Sequence, residues 1–547
     1  MDLPRLPARH KKYADVYVWT FVNFSETMPG PVSPMGWSLM EAGLRRFLRP
    51  LRLSNDVGYT LFEFLYGRVF WNLTPVFGSR LLFDALDRNL AMIGPSIRET
   101  MKEILRSGRV RPRPIYSISQ KLILALQMAF LIPWIGARLA VALIRPGAVE
   151  RGLERLEVDL RALDGNSSTA GDWRASVRDL ERYLDEAFTN LKRRFGVAGL
   201  MVMAVTGLFV SVAGRLMKAR NLGDTLELLA PSRPSKTVEA DLALWELSRS
   251  SDGLTVDSPA FTAWLDRFGH RCPGEQDAIT ARPWDDPARA LELVRQMARE
   301  SKGGPSPADR FNDRARSRRA AAESRLRSLG PIRRLIAGPL HRAASRYLPF
   351  REDGKHYVML VLGHARRRLE VLGRGLEAAG FVDDAEDVFF LTLPELSRLE
   401  STPVRALIAE RRAEFTRYRD VRPPLVVTSE GIPATPSPPG GTVLRGDPVS
   451  SGIVKGRARV VLDPVRDGEL HAGEILVAPH TDPGWTPLFL RAAGVVTEVG
   501  GALSHGAVVA REFGLPAVVN VLGATTLLKT GDMIEVDGNR GEVRKVD

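Results

Sequence analysis

Over most of the chain, apolar residues return every three or four positions. MGWSLMEAGLRRFL, YTLFEFLYGRVFWNL, DWRASVRDLERYLDEAFTNLKRRF and KHYVMLVLGHARRRLEVLGRGLEAAG hold that spacing for more than two turns each, which predicts amphipathic helices. Near the C-terminus the period changes. GIVKGRARVV, EILVAP, AGVVTEVG, PAVVNVL, DMIEVDG and GEVRKV are short, β-branched and bounded by turn residues, as strands are. SHGAVVAREFG returns to helical spacing and stops at Gly514. Between the two regimes, residues 422–441 (RPPLVVTSEGIPATPSPPGG) hold six prolines, which block helix and favour a stiff extended connector. The expected organisation is a large, mainly α-helical body over 1–421, a connector over 422–441 and a small α/β body over 442–547.

Composition narrows the classes. With 44% hydrophobic and 26% charged residues, the chain is neither a disordered polyampholyte nor a fibrous repeat. One cysteine in 547 residues excludes an intrachain disulfide and any single-chain zinc site needing two thiolates, and points to a reducing, cytoplasmic compartment. The N-terminus lacks an apolar run with a cleavage site, so the mature protein is expected to start there. The net charge of +13 is uneven. From residue 441 onward 11 Lys/Arg face 13 Asp/Glu, so the basicity belongs to the larger body. Its runs over 106–114 and 313–334 are read as solvated helix faces, because basic residues without interleaved aromatics do not define a nucleic-acid partner. Two uncharged or nearly uncharged stretches, 195–214 and 122–137, are read as buried core helices, with peripheral or integral membrane contact as the other reading.

One segment carries chemistry. In TEVGGALSHGAVVAREFGLPAVV a strand meets Gly500 and Gly501, and Ser504-His505 then opens a helix. Paired glycines let backbone approach a bulky anion, and the helix N-terminus favours phosphate. A neutral imidazole there can take a phosphoryl group and pass it on, although a Ser-His pair can equally serve as a simple helix cap.

GGALSHGAVVAREFGLPAVV resembles the phosphohistidine swivelling domain of the PEP-utilising enzymes. GDPVSSGIVKGRARVV and ILVAPHTDPGWTPLFLRAAGVVTEVGG extend the resemblance on its N-terminal side. It implies that His505 is the phosphorylated histidine, that Ser504 orients it, that Gly500 and Gly501 lie beneath the phosphate, and that Arg511 is a supporting arginine. NFSETMPGPVSPMGWS, FGHRCPGEQD and REDGKHYVMLVLGHARR with EDVFFLTLPEL resemble, more loosely, the helical substrate domain of rifampicin phosphotransferase-like proteins, with Cys272 where glycine is usual.

In the second of those segments His270, Arg271, Glu275 and Asp277 form a titratable cluster in a Gly/Pro-punctuated loop. It serves either to orient and deprotonate an acceptor hydroxyl or, through an Arg271–Glu275 pair, to fix a loop. Asn23, Glu26, Trp37, Arg68 and Asn72 are further pocket candidates, each with a packing role as the alternative; Cys272 is not expected to be a nucleophile.

The family's ATP-grasp domain has no counterpart before Asn23, no PEP barrel follows Asp547, and no phosphate-binding P-loop replaces them. The resemblance therefore implies a carrier-plus-acceptor component charged by a separate ATP-grasp subunit, as in two-component phenylphosphate synthases. ATP and Mg2+ then come through that partner, and this chain has no metal-ligand spacing of its own. The acceptor is expected to be a small, apolar or aromatic molecule with a hydroxyl. The competing readings are a non-catalytic membrane-associated or ligand-binding protein that keeps the swivel fold, and a stand-alone phosphotransferase using PEP or another small donor.

Overall fold

The computed structural model describes residues 17–21, 28, 30–48, 62–74, 145–164, 172–209, 212, 214–219, 222–249, 253–300, 307–401, 403–419, 421, 423–431, 443–464, 470–482, 485–502 and 504–546, with short pieces between 100 and 144. The run 106–114, the stretch 122–137, Asn23 and Glu26 lie wholly or almost wholly outside them.

The helical body is built on α1 (Pro34–Leu48), α2 (Pro146–Ala162), α3 (Trp173–Leu208), α4 (Leu222–Glu227), α5 (Lys236–Arg249), α6 (Pro259–Phe268), α7 (Pro287–Glu300), α8 (Pro307–Arg327), α9 (Pro331–Tyr347), α10 (Phe350–Ala378) and α11 (Val404–Arg419). At its centre α10 crosses α3, and its LVLGHARRRL turns are buried almost all round. Its buried arginines are paired within this core, Arg366 with Asp285 and Arg368 with Asp164. The 195–214 stretch joins this core through Phe195, Val205 and Phe209. No described helix is long and apolar enough to cross a membrane.

Two expectations are corrected in this body. YTLFEFLYGRVFWNL is not a helix: β2 (Phe62–Leu65) and β3 (Arg68–Asn72) form an antiparallel hairpin. Its two turn residues, Tyr66 and Gly67, have φ of 53° and 67°, the left-handed pair that a tight hairpin loop needs. The run of aromatic and β-branched residues fits a pleated surface better than a helix face. The connector also starts later than proline content suggests. β4 (Val426–Thr428) pairs with β1 (Val18–Thr20), completing a four-stranded antiparallel sheet in the order β2-β3-β1-β4. The first part of 422–441 thus belongs to the helical body.

The C-terminal body follows the strand pattern closely. β5 (Val443–Arg445), β6 (Asp447–Ser450), β7 (Ile453–Val460), β8 (Ile475–Ala478), β9 (Gly494–Thr497), β10 (Ala517–Val519), β11 (Met533–Asp537) and β12 (Glu542–Lys545) lie in the order β5-β12-β11-β7-β8-β9-β10-β6. The centre, β7-β8-β9-β10, is parallel, and the flanking pairs are antiparallel. Parallel strands are buried on both faces, and accordingly β8 and β9 have no exposed residue. Helix α12 (His505–Phe513) follows β9 and ends at Gly514, whose φ of 70° is the left-handed C-cap that glycine adopts without strain.

The two bodies touch. Leu226, Val238, Trp245 and Phe311 of the helical body share one apolar cluster with Leu488, Phe489, Leu490 and Phe513 of the C-terminal body.

Candidate functional site

His505 is the first residue of α12, and the turn before it is tied down at several points. Ser504 caps the helix, its Oγ accepting from Ala507 N at 3.2 Å. Gly501 O accepts from Ser504 N at 2.9 Å. Gly500 N donates to Asn520 Oδ1 at 3.1 Å, and Asn520 Nδ2 donates to Asp447 Oδ2 at 2.6 Å. The glycine turn is thereby hung from the end of β10. Behind the histidine, Gly506 meets Thr481 Oγ1 with no room for a Cβ, and the Phe489 ring stands edge-on to the imidazole at 6.3 Å. Arg511 is turned elsewhere: its Nη1 donates to Val449 O at 3.0 Å, tying α12 to β6. Burial brings this guanidinium down to about 9.

The imidazole faces the helical body. His505 is 5% exposed, and its Nε2 is buried with no hydrogen-bond partner. Across the seam is the first turn of α10, where Glu352 is equally buried and neither carboxylate oxygen accepts a hydrogen bond. Lys355 Nζ stands 3.6 Å from one oxygen and Arg351 Nη1 3.9 Å from the other. Burial holds His505 at about 3; Glu352 opposes that fall, while Lys355, Arg271 and Arg351 add to it. Burial alone would raise Glu352, but Lys355, Arg351, His505 and Arg271 bring it down to about 2. Docked in this way, the ring is neutral with a free lone pair, and the carboxylate is ionised.

The three segments singled out upstream converge on this helix. Asp277 Oδ2 and Oδ1 accept from Ser33 N and Oγ at 2.6 and 2.5 Å, joining the loop before α1 to the loop after α6. Arg366 of α10 donates to Ala278 O and Ile279 O of the latter loop at 2.7 and 2.8 Å. Within it, Arg271 Nε donates to Glu275 Oε2 at 2.7 Å, both side chains buried, and Cys272 N donates to the same oxygen. Arg271 is therefore held by Glu275 while contributing charge to both His505 and Glu352. His270 points inward: it is fully buried, with the His356 ring at 4.6 Å and Trp284 at 5.6 Å, away from any role as a solvent-facing base. Cys272 lies against the Arg282 guanidinium at 3.2 Å, and burial pushes its thiol up. Trp37 packs on Phe62. Arg68 is in the small sheet, where Nη1 donates to the carbonyls of Tyr66 and Tyr418 at 3.0 and 3.1 Å.

Arg351, Glu352 and Lys355 were not singled out from the sequence, although they stand in REDGKHYV. The available signal is four ionisable residues, Arg351, Glu352, Asp353 and Lys355, crowded into the start of a helix just before the apolar run Tyr357–Gly363.

Comparison with known proteins finds matches in both bodies. Residues 470–541 match the PEP-utilising enzyme mobile domain, and residues 197–352, ending at Glu352, match the rifampicin phosphotransferase fourth domain. These two stretches make the chain similar to the PEP-utilising enzymes, whose mobile domain the C-terminal body matches. Within that class it is similar to proteins named rifampicin phosphotransferase: one from a Streptomyces species is 32% identical over 97% of this chain and 62% of its own length. Another, from Bacillus subtilis, is 35% identical over 56% of this chain and 36% of its own. An uncharacterised protein of Mycobacterium tuberculosis is 36% identical over 61% of this chain and 37% of its own. The chain thus spans less than two thirds of these relatives.

Proposed function

We propose that the chain carries a phosphoryl group on His505 Nε2 and delivers it to an acceptor hydroxyl bound beside Glu352. The observation that carries this reading is the seam itself: a buried imidazole nitrogen with no hydrogen-bond partner and a buried carboxylate that accepts no hydrogen bond, electrostatically coupled, the carboxylate ion-paired with Arg351 and Lys355 and near Arg271. In the transfer the P–N bond breaks, its electron pair returns to the ring, and a P–O bond forms. The hydroxyl proton passes to the imidazole by way of Glu352. A carboxylate of such low proton affinity orients the hydroxyl and relays its proton without retaining it. The three cations balance charge on the moving phosphoryl group. Charging of His505 is assigned to ATP with Mg2+ on a separate ATP-grasp subunit, and the acceptor to a small apolar or aromatic molecule with a hydroxyl. Rifampicin, named for the relatives, is the first acceptor to try.

The test is intact-mass analysis without acid, after incubation with ATP and Mg2+, with and without a candidate ATP-grasp protein. Wild type gains one phosphate and His505→Ala does not. Glu352→Gln gains it normally but passes it on about 100-fold more slowly or worse. A mass gain that survives His505→Ala overturns the carrier assignment, and normal transfer by Glu352→Gln overturns the acceptor site.

A further inference from the structure

The basic run in α8 is not simply a solvated face. Arg310, Arg314 and Arg318 follow at four-residue steps and share one side of the helix, and that side meets the C-terminal body. Arg310 Nη2 donates to Leu490 O at 2.7 Å. Arg314 Nη2 donates both to Glu227 Oε2 at 2.9 Å and to Ser451 Oγ at 3.2 Å. Arg318 Nη2 donates to the carbonyls of Leu226 and Leu229, each at 2.7 Å, fixing the short helix α4 that ends in Glu227. Glu227 reaches across as well, its Oε1 accepting from Ser451 N at 3.4 Å. Beside this row the Glu512 carboxyl of α12 is buried, and its Oε2 has no hydrogen-bond partner. A cavity of about 30 Å³, room for one water, is lined by Glu512 together with Arg318, Arg351, Glu352 and Arg511.

We propose that this face is a latch for the swivelling body, in which Arg314 and Glu227 are positioning residues that hold His505 over Glu352, and Glu512 couples release to a proton. The phosphoryl-carrier reading supplies only the purpose of the held pose; the latch stands on the contacts. Glu512 faces Arg318 of α8 and Glu352 of α10 across the seam, and Arg511 on its own helix. Burial raises it, with Glu352 adding and the two arginines opposing, to about 7. Undocked, it returns to the usual carboxyl range near 4.5, so docking takes up a proton and weakens as pH rises through 7. His505 works in the other sense. Docked it sits at about 3 against the usual 6.5, so docking expels its proton and weakens as pH falls below 6.5. From pH 4.5 to 6.5 the two contributions run in opposite directions and nearly cancel, so in wild type docking weakens chiefly below about 4.5.

Hydrogen exchange on the full chain, corrected for intrinsic rates and followed in peptides covering 307–327 and 505–513, tests this. Arg314→Ala and Ser451→Ala each lower protection of both peptides, Arg314→Ala about tenfold, and the double variant loses no more than Arg314→Ala alone, because the contact the two residues share crosses the seam. Glu512→Gln removes the contribution that opposes His505, so that protection in the variant rises between pH 5 and 6.5, where in wild type it stays nearly level. Unchanged protection in the single variants, fully additive losses in the double variant, or a Glu512→Gln profile identical to wild type between pH 5 and 6.5 overturns the latch. The same samples are weighed after exposure to the phosphoryl donor. Absence of phosphate on His505 with the latch intact overturns the carrier reading alone.

Discussion

At the scale of single residues, the core of the helical body holds imidazoles where aliphatic side chains are usual. His270 and His356 are both fully buried, and none of their ring nitrogens has a hydrogen-bond partner. Burial holds both well below 6.5, the neighbouring His356 and Arg271 adding to it for His270, and Arg271 and Lys236 for His356. In the unfolded chain they titrate normally, so below pH 6.5 the unfolded state binds more protons and stability falls as pH falls. His356→Phe, which keeps a ring among Phe268, Tyr357 and His270, removes one such proton. The slope of unfolding free energy between pH 6 and 5 should then drop by about 1.4 kcal/mol per pH unit. Urea unfolding at a series of pH values measures it, and an identical slope in wild type and variant would show that His356 is not held neutral. The placement of His505 at the start of a helix was legible from the sequence because the signal, GGALSHG, is local. Glu352 was not, because its role depends on a partner 153 residues away coming to lie over it, which no local spacing records.

At the scale of elements, long helices and β-branched strands were read correctly, since periodicity alone separates them. The hairpin at 62–72 was not: its apolar residues satisfy a helical spacing by accident, and only the Tyr-Gly turn distinguishes the two outcomes. Element packing also sets which glycines are replaceable. A Cβ on Gly373 of α10 would meet the backbone carbonyl of Ala385, at the start of the 3-10 turn Ala385–Phe390, which cannot move without breaking that turn. One on Gly354 would meet only the rim of the Phe195 ring, which a rotation can clear. Gly373→Ala should therefore cost about 1–3 kcal/mol and Gly354→Ala distinctly less. Thermal melts of the two variants check this; equal losses would mean that the α10 contact yields more readily than its geometry implies.

At the scale of the whole molecule, the seam joins a charged row to an apolar cluster, and the two halves should fail differently. Phe311 is 6% exposed and lies in the cluster shared by both bodies. Deleting such a ring within a core costs about 3–5 kcal/mol. At a seam the same loss falls on docking and leaves the fold of each body in place. Phe311→Ala is expected to keep the main melting transition of the helical body while small-angle scattering reports a larger radius of gyration. A lowered melting point without expansion would place Phe311 in the core of the helical body and not at its seam.

The pairing of β1 with β4 fixes the point from which the carrier is tethered. The chain leaves the small sheet at Gly431 and enters the carrier at Val443. Fully stretched, that dozen residues spans about 40 Å. The tether is therefore a compass with a short arm: on the proposed carrier role, a catalyst that loads His505 has to present its active centre within that length plus the width of the C-terminal body, measured from the small sheet. A stretch of added connector should widen the circle of donors that the carrier can serve, and trimming it should narrow the circle before any catalytic residue is touched.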